Sequence, residues 1–180
     1  VIGPRKSFQQ PLWLGADDLT GKTVLLHSEQ GLGDTLQFVR YAPQFKARGA
    51  RVVLPVQRPL ISLMASLAGI DRVIAEGDPL PDFDYHCPLL SLPLAFGTNL
   101  HNIPAEIPYL HPAADRLTKW QSILGARTAP RVGLAWSGNP IHKNDSNRSI
   151  ALARLRPLLA VPGLRFISLQ KDLREEDAGV

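Results

Sequence analysis

A single cysteine, Cys87, leaves no partner for an intrachain disulfide and no cysteine cluster for a metal. Next to Pro88 in an apolar run, it reads as buried and inert. No apolar run approaches the roughly 20 residues that span a bilayer, and the opening VIGPRKSFQQ has no apolar signal-peptide core. The expectation is a soluble, cytoplasmic protein in a reducing compartment. Since residue 1 is Val, it is also expected to be a piece of a longer chain. Clustered basic charge is missing too. The net charge of +4 comes from 20 Lys and Arg against 16 Asp and Glu spread along the chain, and a nucleic-acid partner needs a concentrated basic face. The five histidines have no ligand spacing, so no metal site is expected, and His86 reads as a core histidine. Neither a Gly-x-Ser-x-Gly elbow nor a P-loop occurs.

What is present is a soluble globular composition, 44% hydrophobic and 20% charged, arranged in repeating strand and helix periods. Residues 1–20 form an irregular lead-in holding Pro4, Pro11, Gly15 and Asp17–Asp18. Lys22–His27 then predicts a buried strand. A helical period begins at Asp34, is interrupted by Pro43 and is stopped by Gly49. Arg51–Val56 predicts a second strand, Pro59–Leu67 a helix, Arg72–Ala75 a third strand and residues 84–90 a fourth. Such alternation argues for a mainly parallel sheet with helices on its faces, a Rossmann-like three-layer domain over residues 21–125. Four prolines between Ser91 and Pro112 break every pattern, and a helix is expected from Ala113 to Leu124. A linker over 126–130 leads to a second α/β unit, 131–180, with a strand at Arg131–Trp136, a helix around Leu152–Leu159 and a strand at Leu164–Gln170. That unit reads as truncated, so its unfinished sheet edge invites self-association.

Two loops carry candidate chemistry. In HSEQGLGDTLQF, Gly31 and Gly33 fit the first two positions of a dinucleotide fingerprint, but Leu36 takes the third. The second strand ends in Val56, Gln57 and Arg58 with no ribose-binding acid, which excludes that cofactor. There remain two sterically open residues before a helix, with Asp34 at or beside its N-cap and Glu29 nearer the strand. Asp34 is either a cap and dipole partner worth about 1 kcal/mol, or a base at the carboxyl edge of a parallel sheet, able to take a proton from a hydroxyl. Glu29 is the second choice and can simply anchor the turn. The equivalent loop of the second unit, Ser137–Ser149, holds Ser137, Gly138 and Asn139 as small donors and His142, Lys143 and Arg148 as cations, with Ser149 placed to cap the next helix. It is either a phosphate cradle or a solvated loop whose cations pair with Asp145. One loop would handle an acceptor hydroxyl, the other a diphosphate leaving group. Trp13, Trp120 and Trp136 read as packing residues.

The motifs EQGLGDTLQF and WSGNPIHKNDSNRS, with FDYHCPLLSLPLAFGT and IPAEIPYL between them, give the chain a resemblance from Phe8 to Asp172. It resembles bacterial glycosyltransferase-like proteins that usually carry tetratricopeptide repeats upstream. It is similar, more distantly, to the ADP-heptose:lipopolysaccharide heptosyltransferases of glycosyltransferase family 9. The resemblance implies a GT-B architecture whose N-terminal domain takes the acceptor and whose C-terminal domain takes a nucleotide sugar. It implies Asp34 as general base, Arg148 as the contact to donor phosphates and Lys143 as its assistant, without a metal and with no cofactor beyond the nucleotide-sugar co-substrate. Position 148 is Arg where those enzymes have Lys, a fork replacing a point charge. The expected partners are a nucleotide sugar and a glycan or protein acceptor, which leaves room for peripheral membrane contact by the intact protein. The 180-residue piece, with half a donor domain, is expected to be inactive. The alternative is a non-catalytic GT-B module that binds nucleotide sugar or protein.

Overall fold

The computed structural model describes residues 7–179. Residues 1–6 of the expected lead-in, and residue 180, lie outside the described residues. The chain divides into two units, Val1–Leu117 and Thr118–Val180. In the first, β1 (Thr23–His27), β2 (Arg51–Val56), β3 (Arg72–Ala75) and β4 (Tyr85–Pro88) form a sheet in the order β3-β2-β1-β4 with every pair parallel. The runs VLL and VVLPV are apolar throughout because central parallel strands are covered on both faces. Leu25 pairs with Val53 on one side and His86 on the other, which puts β1 at the centre.

The helix expected from Asp34 is assembled from three pieces: α1 (Leu32–Phe38), a 3₁₀ turn over Val39–Tyr41, and α2 (Ala42–Ala47). Pro43 falls in the first turn of α2, where a missing N–H costs little, and the carbonyl of Val39 that it cannot reach lies in the tightened segment. After β2 the helix expected over Pro59–Leu67 shrinks to a 3₁₀ turn at Arg58–Leu60 followed by α3 (Ile61–Met64). Gly69 stops this connection with φ +84°, and a Cβ there would lie 2.8 Å from the Cα of Pro43, so the α2–α3 approach requires glycine. A 3₁₀ turn at Leu89–Ser91 and α4 (Leu92–Ala95) follow β4.

Side-chain alternation along the strands separates two cores. Val24, Leu26, Val52, Leu54, Val56 and Cys87 face Phe45, Met64, Leu92 and other side chains of the four short helices. Leu25, Val53 and Ile74 point the other way, against Phe8 and Phe83. Among the described residues no helix joins this second cluster, whereas a three-layer sandwich has helices on both faces. The cause lies in the β3–β4 crossover, residues 76–84, where Pro79 and Pro81 leave no room for a helix.

The lead-in is more than irregular. Leu12 forms a parallel bridge with His86, the Trp13 N–H donates to the His86 carbonyl at 2.9 Å, and the His86 N–H donates to Pro11 at 3.1 Å. One paired residue flanked by Pro11 has no period to detect, yet it carries Trp13 into the centre of the larger core. Cys87 is fully buried in β4, and its thiol is pushed up to about 12, first by burial and then by the negative charge of Glu29. At about pH 8 the thiolate that alkylating reagents need is therefore scarce. Iodoacetamide is expected to leave the folded protein unlabelled and to label Cys87 rapidly in denaturant. Mass spectrometry checks this, and labelling of the folded chain at the rate of a free thiol refutes it.

The division between the units falls within α5 (Ala114–Leu124). The second unit pairs β5 (Arg131–Leu134) with β6 (Arg165–Ser168) in parallel. Between them run the long polar loop, a 3₁₀ turn at Leu152–Leu155 and α6 (Arg156–Leu159). Both strands are shorter than the runs that announced them. The class is mixed α/β with a mostly parallel central sheet, consistent with a Rossmann-like fold. No helix among the described residues is long and apolar enough to cross a membrane.

Candidate functional site

The glycine turn leaves β1 at His27 and enters α1 at Leu32, on the carboxyl edge of the sheet. Its polar residues are tied, one by one, to the ends of the neighbouring strands. Ser28, buried, donates its Oγ to Glu76 Oε1 at 2.9 Å, just past β3. Gln57, just past β2, donates Nε2 to the Gln30 carbonyl at 3.1 Å and accepts from Thr35 Oγ1 at 3.1 Å. It thus grips the turn on both sides of the glycines. Glu29 Oε2 accepts from the Leu90 N–H at 3.4 Å, past β4, which is the anchoring role.

Asp34 is the third residue of α1 and not its cap; Gly31 is the N-cap. The Asp34 Oδ2 accepts the Gly31 N–H at 3.0 Å, the acidic half of a capping box. Asp34 is half-buried and both glycines are exposed. Neither glycine has a positive φ. A Cβ on Gly33 would meet nothing within 4 Å, and one on Gly31 would meet only Asp34 Oδ2 at 3.5 Å, an ordinary contact. Among the described residues nothing requires either position to be glycine, although Gly33 lies within a helix, where glycine is disfavoured by about 0.5–1 kcal/mol relative to alanine.

In the second unit the loop 137–149 is held by residues from beyond β6. Gln170 Oε1 accepts the N–H groups of Trp136 and Ser137 at 3.1 and 3.2 Å, and its Nε2 donates to the Ser137 carbonyl at 2.9 Å. The Gly138 N–H donates to Ser149 Oγ at 2.9 Å, and the Ile141 N–H to Asn139 Oδ1 at 3.0 Å. The Ser137 and Gly138 N–H groups, expected to line a phosphate cradle, are therefore engaged within the unit. Ser149 does not cap a helix. Its hydroxyl donates to Asp145 Oδ1 at 2.7 Å and accepts from Arg174 Nη2 at 3.0 Å, while Asp177 accepts the Leu152 N–H at 2.9 Å, at the start of the 3₁₀ turn. Asp177 also accepts the Trp136 indole N–H at 2.8 Å, and these two bonds hold its carboxyl below the usual range.

Asp145 is buried and pairs with Arg174, not with the loop's own cations. The Ser149 hydroxyl and then Arg174 keep its carboxyl below the usual range. Lys143 and Arg148 are left exposed, and the guanidinium of Arg148 rests against Gly138, where a Cβ would lie 3.2 Å from its Nε. The Ser137 hydroxyl is buried with no partner among the described residues. Gln57, Glu76, Gln170, Arg174 and Asp177 had no sequence signal as a group. Each is a polar residue after a strand, and only contact separates a brace from a solvated side chain. Arg174→Met is expected to release the loop, so that trypsin cuts after Lys143 and Arg148 several-fold faster, as peptide mapping over time will show. An unchanged cleavage rate would mean that Arg174 does not hold it.

Among the described residues no group of three or more His, Cys, Asp or Glu is placed to hold a metal ion. The candidate residues are thus one acid beside two unexplained glycines at the carboxyl edge of the first unit's parallel sheet and, separately, a braced cationic loop in the second unit. FlbA of Caulobacter vibrioides is 25% identical to the chain over 193 aligned positions, covering 97% of this chain and 32% of FlbA. The chain therefore spans about a third of the length of that curated relative. No family model and no solved structure matches the chain.

Proposed function

We propose that the chain is part of a glycosyltransferase of GT-B type, related to the heptosyltransferases and linked to tetratricopeptide repeats in the intact protein. The first unit serves the acceptor, and the second begins the domain for a nucleoside-diphosphate sugar. Asp34 takes the proton of an acceptor hydroxyl as its oxygen bonds to the anomeric carbon. The bond from that carbon to the diphosphate breaks, and the transfer inverts. Lys143 and Arg148 neutralise the departing diphosphate through their side chains, since the Ser137 and Gly138 N–H groups are engaged within the unit.

One observation carries this reading: Gly31 and Gly33 have no intramolecular reason to be glycine and lie beside an acid. Glycine retained at a cost in a helix start is explained by close approach of another molecule to the backbone. Gly33→Ala is accordingly expected to stabilise the fold by about 0.5–1 kcal/mol and to lower acceptor turnover in the intact protein. Denaturant melts and transfer assays read the two effects separately. A variant that is more stable and fully active removes the support.

The bond from Gly31 to Asp34 favours a second reading, a GT-B module that binds nucleotide sugar or protein without catalysis. Thermal shift of the intact protein by nucleotide sugars, without transfer to any glycan, would select it.

A further inference from the structure

One side chain recurs at the same place in both units. Gln57 stands directly after β2, and Gln170 two residues after β6. Val24 pairs with Val52 and Arg131 with Arg165, and extending these registers sets Gln57 opposite Glu29 and Gln170 opposite Trp136. Each Nε2 then donates to the carbonyl of the next residue in the facing loop, Gln30 at 3.1 Å and Ser137 at 2.9 Å. Each Oε1 accepts from the same loop. In the first unit the donor is the Thr35 hydroxyl at 3.1 Å. In the second the donors are the N–H groups of Trp136 and Ser137, at 3.1 and 3.2 Å.

The residue type follows from what the loops need. Past the carboxyl edge β1 runs into the glycine turn and β2 into a 3₁₀ turn, so the backbone ladder between them ends. The loop groups beyond it still need partners. A glutamine side chain ends in an amide, a donor and an acceptor on one plane, like the peptide group it replaces. It therefore continues the ladder where the main chain has turned away. An ionised glutamate only accepts and a lysine only donates, so neither fills both places. Both glutamines are half-buried, where a lost partner leaves a polar group unmet.

We propose that Gln57 and Gln170 are positioning residues that hold the two candidate loops in equivalent ways. Gln57 fixes the turn that presents Asp34. Gln170 fixes the start of the loop that carries Lys143 and Arg148. The division of labour between the loops rests on the transferase reading; the clamps themselves do not.

Gln57→Leu and Gln170→Leu keep most of the side-chain volume and remove the amide. In the ¹⁵N-labelled 180-residue chain, amide hydrogen exchange reads the loops separately. Gln57→Leu is expected to speed exchange at Gly31 and Thr35 about tenfold, and Gln170→Leu to do the same at Trp136 and Ser137, the range for one or two lost hydrogen bonds. Gln57→Glu and Gln170→Glu keep the accepting oxygen and lose only the bond to Gln30 or Ser137. They should give a smaller increase, about threefold, and serve where a leucine variant folds poorly. In the intact protein, Gln57→Leu should lower kcat about tenfold with the donor KM unchanged. Gln170→Leu should raise the donor KM about tenfold with the acceptor KM unchanged. Loss of stability alone would change both variants alike. Loop exchange that stays at the unmodified rate, exchange that rises evenly through a unit, or the same kinetic change in both variants would each overturn the assignment. If the unmodified intact protein transfers no sugar, the transferase reading fails, and the exchange rates still decide whether the glutamines hold the loops.

Discussion

In the intact protein, Asp34→Asn is expected to lower transfer turnover by about 10²–10⁴-fold, the range for loss of a general base, with the fold left in place. Asparagine separates the two roles that Asp34 combines. Its side-chain oxygen still accepts the Gly31 N–H, now bonded at 3.0 Å to Oδ2, so the start of α1 keeps its cap. What disappears is the charge, whose value to the helix dipole is about 0.3–1 kcal/mol, and the capacity to take a proton at neutral pH. A stabilising residue alone would predict a small shift in melting temperature and nothing in turnover. Asp34→Ala provides the contrast, since it also loses the cap, at about 1 kcal/mol. Steady-state turnover with a nucleoside-diphosphate sugar, measured beside a denaturant melt, reads both quantities. If Asp34→Asn turns over at the unmodified rate, Asp34 is a cap only, and the base assignment is wrong.

The largest effect on stability is expected at Trp13. Its side chain is 0% exposed. Its indole donates to the Asp17 carbonyl at 3.1 Å, and its ring packs against Phe45 at 5.0 Å and Phe96 at 5.3 Å, with the Arg48 guanidinium 5.3 Å from the ring centre. Trp13→Ala removes a large aromatic volume that the surrounding strands and short helices cannot refill, at a cost of about 3–5 kcal/mol. Marginal domains have little more than that to lose, so the variant should unfold at a much lower urea concentration. The lead-in's pairing with the outer edge of β4 is coupled to the same event, because the Trp13 N–H and the Pro11 carbonyl bracket His86. Trp13→Phe refills most of the space and should recover most of the loss. A melt of Trp13→Ala within about 1 kcal/mol of the unmodified protein would show the lead-in to be a surface strap.

The parallel sheet was legible because apolar runs separated by glycine-stopped helical periods have few other solutions. All four strands of the first unit and both of the second were anticipated within a few residues. The interruption at Pro43 and the stop at Gly49 follow from backbone chemistry that is local to each residue. The expectation against a dinucleotide site is local in the same way, since it needs only a missing glycine and the neutral Gln57. The two loops could be located in the same way, since a strand-to-helix turn is marked by its own glycines and polar residues.

Other features required distant parts of the chain to meet. Asp34 reads as a cap from its position, but the partner is Gly31 in a box, and the turn around it is gripped by Gln57 from 22 residues further on. Asp145 could pair with Lys143 or Arg148 next to it in sequence. Arg174 has it instead, 29 residues away, because burial favours a fork that also satisfies Ser149. The charged residues after β6 thus brace the loop through Arg174 and cap the 3₁₀ turn at Leu152 through Asp177. Periodicity and turn chemistry act over a few residues, so the sequence by itself determined the elements, their order and the placement of the candidate loops. Which polar group satisfies which, and which face of the sheet lacks a helix, depend on long-range packing and desolvation, and those were decided only in the tertiary structure.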